Sequence, residues 1–319
     1  MAIVKKILMM IMTMLIVSFF VFLSFEFISG DIATSILGIN ATDSAIEQLR
    51  QELGLNRPFI IRYFDWLFCF IKGDMGFSYS YNLEVSELIF SKLPINIVLT
   101  LISFIFVVLI AIPISIIAAS KKNSILDRII CLISQIIMAT PAFFAGILIT
   151  FIFGLILNWF MPGAYISYEN DFWGFVSYLI FPAFAIALPK IAMVVSLLRI
   201  SILGEIGKDY VRTAYSKGNN EIAVMLKHVL KNAMLPIVTF LGMSIADIMV
   251  GSVVIEQIFL IPGIGNILLN AISNRDYSLI MAIIVWMAFF IVFMNMLVDA
   301  SYSLLDPRIR TYLKKGAKS

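Results

Sequence analysis

Six stretches of this chain are long and apolar enough to cross a lipid bilayer as helices. A membrane helix needs about 20 mainly apolar residues to cover roughly 30 Å of hydrocarbon. Composition points the same way, because 61% of the residues are hydrophobic and only 13% are charged. The sequence therefore predicts an all-α, polytopic membrane protein with about six transmembrane helices. The predicted spans are residues 7–28, 93–119, 129–160, 175–200, 236–260 and 279–305.

The basic residues predict which ends of the spans face the cytoplasm, since lysine and arginine accumulate in cytoplasmic segments. Placing the N-terminus inside puts most of the 23 basic residues in inner segments, and six spans then return the C-terminus to the cytoplasm. We expect an N-terminal tail and first span at 1–28 and an extracytoplasmic segment at 29–92. We expect these to be followed by a transmembrane domain at 93–310 and a cytoplasmic tail at 311–319.

The extracytoplasmic segment contains the signature of one short surface helix. Ser44 and Glu47 have the spacing of a capping box, in which the two side chains satisfy free N–H groups at a helix start. Gly54 suits a helix stop. The apolar stripe of this predicted helix consists of Ile46, Leu49 and Leu53.

The longest inner loop, residues 201–235, predicts two short helices joined by a tight turn. The first, within DYVRTAYSKG at 209–218, ends at Gly218, a residue suited to a left-handed turn. Asn219 or Asn220 caps the second helix, and Pro236 opens the fifth span, where its missing N–H costs little. The predicted apolar face of the second helix comprises Ile222, Met225, Leu226, Val229 and Ala233.

Three side chains of this loop predict contact with another molecule. Ala214 leaves room for a partner surface to approach closely, and Arg212 and Lys217 offer charges toward the cytosol. From the pattern alone, an ordinary basic juxtamembrane loop is the competing interpretation.

Ionisable residues inside predicted spans are candidates for function, since charge is costly in hydrocarbon. Glu26 and Glu256 lie near outer ends and can reach water, while Lys190 can extend its amine toward the inner surface. Asp247 is the deepest, and it either faces a pathway or pairs with another polar group. Asp299 shares a face of the sixth span with other polar residues, which favours a network between helices.

Two alternatives of other classes find little support in the residues. A secondary transporter would show an internal inverted repeat, and none is evident. A membrane enzyme would carry a motif such as GxSxG or HExxH, and neither occurs. Cys69 and Cys131 are expected to be free, the single histidine, His228, to be a solvated or docking residue, and the net charge of +3 is too small to suggest nucleic acid.

Several segments together resemble one family of permeases. RTAYSKG at 212–218, followed by Leu235 and Pro236, resembles the EAA loop of ABC importers, with Arg212 and Thr213 where the name-giving Glu-Ala would stand. The spacing is similar to that of the dipeptide/oligopeptide/nickel permeases, in the first-type subunit of the pair. Further matching segments are ELGLNRPFIIRYFDW at 52–66, GSVVIEQIFLIPGIG at 251–265 and NMLVDASYSLLDPRIR at 295–310.

The resemblance implies a type I ABC importer permease fold with two sets of functional residues. The expected ATPase-coupling residues are Asp209, Tyr210, Arg212, Thr213, Ala214, Lys217, Gly218, Leu235 and Pro236. The pathway or gate candidates are Asp247, Glu256, Pro262, Gly263 and Asp299. The last set includes the IPGIG run at 261–265, which is expected to form a re-entrant or turn element.

The resemblance also implies the partners and the place of work. We expect a second, homologous permease in a heterodimer, two cytoplasmic ATPase subunits and an extracytoplasmic substrate-binding protein, in the membrane lipid of a bacterial cell. The chain should bind no cofactor or metal; partner subunits use the ATP, because the phosphate-binding motif GxxxxGK[ST] is absent here. Di- and oligopeptides are the expected substrate, with nickel or a metal–chelator complex as the alternative.

Overall fold

A computed structural model describes residues 2–28, 34, 42–52 and 54–305 of the chain. The elements in chain order are α1 (Ala2–Ile28), α2 (Asp43–Glu52), α3 (Phe59–Ile71), β1 (Phe77–Ser78), β2 (Leu83–Glu84), α4 (Val85–Ser120), α5 (Ile125–Ala139), α6 (Ala142–Ile149), a π-helical segment (Thr150–Ile156), α7 (Phe172–Ile206), α8 (Asp209–Ser216), α9 (Glu221–Val224), a second π-helical segment (Met225–Val229), α10 (Leu230–Ile258), α11 (Ile264–Ser273) and α12 (Tyr277–Leu305).

The all-α membrane architecture predicted from the sequence is confirmed. Within the described ranges, five helices are long and apolar enough to cross a membrane, and a bent pair brings the number to six. The only strands in this part of the chain are the two-residue strands β1 and β2. The predicted tail at 311–319 lies outside the described residues.

The third predicted span, residues 129–160, is bent at Pro141, a proline that is expected to kink it, and the bend is a complete break between two helices. It breaks after Ala139, and the helices on either side are bent by 103°. Pro141 explains the position of the break, because it has no N–H to donate and its ring disfavours a helical conformation for the preceding residue. Thr140 accordingly has extended dihedral angles, φ −89° and ψ 121°.

The chain divides into two compact units, the first formed by residues 1–94 and 262–293. Its apolar core joins the start of α4 to α11 and the first part of α12. The strands β1 and β2 form an antiparallel hairpin in which Ser78 faces Leu83. Asp276 holds this hairpin, since its Oδ2 accepts hydrogen bonds from the Ser78 hydroxyl (2.6 Å) and the Ser80 N–H (3.1 Å).

The predicted surface helix exists as α2, but its start differs from the prediction. The helix begins at Asp43, so Ser44 lies inside its first turn and the capping box is wrong. The backbone carbonyl of Thr42 receives the first helical N–H bonds, from Ala45 and Ile46. Gly54 follows with φ +65°, in agreement with the predicted stop. The side chains of Leu49 and Leu53 lie outside those that the structure describes.

The second unit comprises residues 95–261 and 294–319, and α7 is central to its packing. One buried cluster unites α4, α7, α8 and α10 through residues such as Leu198, Val211 and Ile237. A second cluster unites α4, α7 and α10 with the end of the broken span. Pro182 and Pro189 both lie within the single helix α7. The loop with the candidate coupling residues therefore emerges directly from a packed core.

Candidate functional site

Helix α8 and the turn after it form the first part of the candidate site. The turn has the predicted left-handed geometry, with Gly218 at φ +81°. The Gly218 N–H donates to the Tyr215 carbonyl (2.9 Å), and the Asn219 side-chain amide donates to the Ala214 carbonyl (2.9 Å). These bonds satisfy carbonyls that a helix end would otherwise leave free, and so they fix where the helix stops.

Ala214 does not offer the open surface that the sequence suggests. It is buried in the core cluster, together with Val211 one turn earlier on the same helix. Tyr210 is partly buried beside them, and its hydroxyl donates to Glu205 Oε2 (2.7 Å). Burial raises the pKa of the Tyr210 hydroxyl, which therefore stays protonated and able to donate. This face of α8 anchors the loop to its own chain.

The opposite face of α8 is exposed and polar. Arg212, Thr213 and Lys217 are all exposed, as are Asp209 at the helix start and Gly218 at the turn. The Thr213 hydroxyl donates to the carbonyl of Asp209 (3.0 Å). The cationic side chains of Arg212 and Lys217 are longer and extend further from the helix. The exposure predicted for Arg212 and Lys217 is confirmed.

The second helix of the loop is continuous with the fifth span. Residues Glu221–Ile258 form one helix of 38 residues, which passes through the π-helical segment Met225–Val229. Pro236 lies inside α10 instead of opening the span, so that prediction is wrong. Ala233 and Ile237 on either side of the proline are fully buried, and their packing holds the helix together where one N–H is missing.

The predicted cap of this long helix is confirmed, as are three of the five residues of its predicted apolar face. The Asn220 side chain accepts a hydrogen bond from the Ala223 N–H (2.8 Å). Met225, Val229 and Ala233 are buried as predicted. The predicted face residues Ile222 and Leu226 are exposed instead.

The two exposed residues of that face have a geometric explanation. Ile222 is 70% exposed and Leu226 is 50% exposed, while Val224 takes a buried place. The π-helical segment accounts for the difference, because a wider turn rotates the residues before it relative to those after it. Leu235 and Pro236, the last two coupling candidates, are also exposed.

A buried ion pair that the sequence analysis missed lies behind the loop. The Arg199 guanidinium of α7 donates to both carboxylate oxygens of Asp127 on α5, at 2.6 and 2.7 Å. Asp127 also accepts from the Asn123 N–H, and its own N–H donates to the Ser124 hydroxyl. The Ser124-x-x-Asp127 spacing is a helix-start signal that could have marked this carboxylate, but its partner is 72 positions away.

A second ion pair occupies α7 and α10 within the predicted spans. The Lys190 amine lies 2.6 Å from Asp247 Oδ2. This pairing is one of the two alternatives predicted for Asp247, and it gives the Lys190 amine a partner within the span. The Asp247 side chain is 60% exposed and that of Lys190 19% exposed. A charged pair with an open carboxylate is costly against lipid, so we expect this surface to meet water or another polypeptide.

The remaining pathway candidates are placed differently from Asp247. Glu256 is fully buried and does not reach water, in contrast to the prediction; its Oε1 accepts from the Asn96 amide and the Ser252 hydroxyl, both at 2.7 Å. Pro262 and Gly263 form the predicted turn element, which leads into the 10-residue helix α11. Asp299 belongs to α12, but its side chain lies outside those that the structure describes.

These helices define a polytopic α-helical membrane protein with a structured loop before its 38-residue helix. The family described as "Binding-protein-dependent transport system inner membrane component" matches residues 111–311, and its N-terminal counterpart matches residues 1–100. The chain belongs to this family of transport components.

Curated relatives match along nearly the whole chain. A probable peptide ABC transporter permease of Sinorhizobium fredii is 33% identical over 97% of this chain and 98% of its own length. The oligopeptide transport system permease AppB of Bacillus subtilis is 34% identical over 96% of this chain and 98% of its own length. A putative peptide transport system permease of Brucella abortus is 33% identical over the same shares as the first.

These findings fix the general role of the chain. It is a multi-pass inner membrane permease of an ABC importer, a transport component and not an enzyme. Such a permease works with ATPase and substrate-binding partners, and ATP hydrolysis takes place on the separate ATPase subunits.

Proposed function

We propose that this permease imports di- and oligopeptides and that its loop at 201–235 couples the membrane helices to cytoplasmic ATPases. The support for peptides is that the relatives above, similar from end to end, are named peptide permeases. The support for coupling is the two-sided structure of α8. One face is buried in the core of its own chain, and the other presents an exposed polar surface.

The coupling residues divide into three roles in this proposal. Arg212, Thr213 and Lys217 touch the ATPase, because their side chains are exposed together on one short helix. Tyr210 and Ala214 transmit force, because they join that helix to the buried core. The Gly218 turn sets the angle at which the chain enters the 38-residue helix, and the exposed Asp209, Leu235 and Pro236 complete the surface.

The assembly that follows from this proposal contains four membrane or ATPase subunits. Two permease chains, of which this is one type, pair through their spans, and each engages one ATPase. The N- and C-termini then face the cytoplasm, and residues 29–92 face the substrate-binding protein on the other side. The chain itself holds no cofactor in this proposal, and ATP acts on it only through the partner.

Asp247 is the pathway candidate that the geometry supports best. Its carboxylate stays largely exposed although it lies in a membrane helix and is paired with Lys190. In the proposed dimer of permeases this open side faces a water-filled pathway between the two chains. Glu256, by contrast, is buried within its own unit, so its proposed part is to hold α10 against α4.

Co-purification tests the coupling proposal directly. The variant carries Arg212→Ala, Thr213→Ala and Gly218→Val, and the matched control is Gly218→Asn, since asparagine tolerates the left-handed backbone that valine resists. We expect the triple variant to keep the second permease and to lose most of the ATPase, while the control retains both. Full ATPase recovery with the triple variant would remove the coupling role from this surface.

Thiol labelling tests the orientation. In a chain without its native cysteines, single cysteines at Ser44 and Lys318 should react in opposite ways with a reagent that cannot cross the membrane. Ser44→Cys should be labelled in intact cells and Lys318→Cys only after lysis. Labelling of Lys318→Cys from outside would reverse the proposed topology.

Mass spectrometry of the substrate-binding partner tests the substrate. The partner is purified without added ligand, and its bound molecule is released and identified. Peptides support the proposal. Nickel or a metal–chelator complex would replace the peptide assignment with the alternative and leave the coupling mechanism unchanged.

A further inference from the structure

Helix α3 (Phe59–Ile71) presents two different faces, and one of them packs on the first membrane span. The ring of Tyr63 meets those of Phe19 and Phe22 of α1 edge-on, with centroids 5.3 and 5.7 Å apart. Phe59 and Trp66, on either side of Tyr63, also contact Phe22, at 5.4 and 5.6 Å. Two turns of α3 therefore pack against the aromatic rings of Phe19 and Phe22 on α1.

Hydrogen bonds show how deep in the membrane α3 contacts α1. The Tyr63 hydroxyl lies 3.0 Å from the Ser18 hydroxyl and donates to the Leu15 carbonyl (3.2 Å). Both residues lie well inside the apolar span Lys6–Phe27 of α1. The packed face of α3 consequently reaches the depth of the hydrocarbon in the leaflet where α1 ends.

The opposite face of α3 is apolar and exposed. Its large side chains are between 48% and 70% exposed, a range set by Phe64 and Ile71. Spacings of three and four residues place them along one side of the helix. The exposed residues of this face are Ile60, Ile61, Phe64, Phe68 and Ile71.

Charged groups occupy the remaining side of α3, toward the end of α1. Arg62 pairs with Glu26, near the last turn of α1, and Arg57 pairs with Asp65 at 3.3 Å. Arg62, Asp65 and Trp66 also line a cavity of about 630 Å³ within the first unit. A helix with charged groups toward the membrane surface and large apolar side chains on its exposed face matches the chemistry of the lipid interface.

We infer that α3 is an interfacial helix, immersed in the leaflet at the C-terminal end of α1, and that its exposed apolar face contacts lipid acyl chains. With 13 residues it is too short to span the bilayer, but it suits a helix lying in the interface. Almost none of the α1 span is buried, and its exposed residues include Phe20 and Phe27, so α1 can cross the membrane only if its surface meets lipid. Because α3 packs on α1 at the depth of the hydrocarbon, the apolar face that α3 leaves exposed meets lipid as well.

Spin labels measure this contact in the full-length chain, purified with its partner subunits in lipid nanodiscs. Cys69 and Cys131 are replaced by serine, and single cysteines at Phe64, Phe68 and Asn56 carry a nitroxide. Oxygen concentrates in hydrocarbon and a neutral nickel chelate concentrates in water, so the ratio of their collision rates reports depth. Asn56 is the control, because it is exposed just before the helix.

The expected result is a ratio of oxygen to chelate collisions that exceeds one at Phe64 and Phe68 and falls below one at Asn56. Free access of the chelate to Phe64 or Phe68 would place the face in water and overturn the inference. Shielding of both labels from both reagents would show a protein partner on this face and overturn it equally. Replacing both phenylalanines by leucine should leave the uptake rate unchanged, whereas replacing both by aspartate should lower it.

Discussion

Two ion pairs that join helix α7 to other helices differ in the number of hydrogen bonds and in the burial of the carboxylate. Near the end of α7, the Arg199 guanidinium donates two hydrogen bonds to the buried carboxylate of Asp127. Earlier on the same helix, the Lys190 amine donates one hydrogen bond to Asp247, whose side chain is 60% exposed. The first pair is enclosed by its own chain, and the second is open to whatever lies beside it. The two pairs thus differ in how far the carboxylate is buried, 3% exposed for Asp127 against 60% for Asp247.

The largest effect should come from removing one charge of the enclosed pair. Asp127→Asn leaves the Arg199 guanidinium partly buried without its counter-charge, a change that typically costs about 3–5 kcal/mol. We expect a much lower level of folded protein in the membrane and a large drop in the temperature of thermal inactivation in detergent. The control Asp43→Asn, at an exposed position in the first turn of α2, should be nearly neutral. Equal stability of the two variants would contradict the structural role.

A double substitution should sharpen this result. If Arg199→Gln accompanies Asp127→Asn, no unpaired charge remains, and the double variant should be destabilised by less than the sum of the two single variants. The difference between the sum and the double variant measures the coupling, which for residues in contact is about 0.5–3 kcal/mol. Strict additivity of the three measured stabilities would mean that the two residues act independently.

The open pair should show the reverse pattern, a small effect on stability and a larger one on transport. Lys190→Met leaves the Asp247 carboxylate, which is 60% exposed, in contact with its surroundings and should change the free energy of unfolding by about 1 kcal/mol or less. Uptake of labelled substrate into vesicles should nevertheless fall several-fold in this variant. The exchange Lys190→Asp with Asp247→Lys restores the pair and should recover part of the rate. A strong loss of stability in Lys190→Met would show that the Asp247 carboxylate is enclosed in the assembled protein.

The smallest effect is expected from a third pair, just after the enclosed one. Lys208 lies 2.5 Å from Glu205, and its side chain is 55% exposed. Lys208 lies in the turn after α7, and a solvent-exposed pair of this kind contributes about 1 kcal/mol at most and often nothing measurable. Lys208→Gln should therefore shift thermal inactivation hardly at all, and the remaining contribution should disappear in high salt. If Lys208→Gln shifted the temperature of thermal inactivation as much as Asp127→Asn does, burial would not determine how much each pair contributes to stability.

The spans were predictable because hydrophobic length is a local signal that the bilayer imposes. The turn at Gly218 and the cap at Asn220 were predictable for the same reason, since each depends on residues close in sequence. The bend of the third span could be located from Pro141, but its direction and size depend on what the two halves pack against.

The features that sequence reasoning missed depend on distant partners. No pattern joins Asp127 to Arg199, and the burial of Ala214 on α8 depends on core residues far away in the sequence. The continuity of the helix through Pro236 was missed because a proline marks a boundary unless buried neighbours hold the helix. Helix α3 was missed because its 13 residues are too few for a span.

The length of Glu221–Ile258 has a mechanical consequence. At about 1.5 Å per residue, its 38 residues make a rod roughly 57 Å long, nearly twice the thickness of a hydrocarbon core. One end begins beside the Gly218 turn, and the other carries Glu256. Tilting such a rod by about 10° about its near end displaces the far end by roughly 10 Å. In the proposed coupling, a small rotation at the loop therefore becomes a long displacement at the opposite surface, and the π-helical segment Met225–Val229 and Pro236 are the places where the rod can bend.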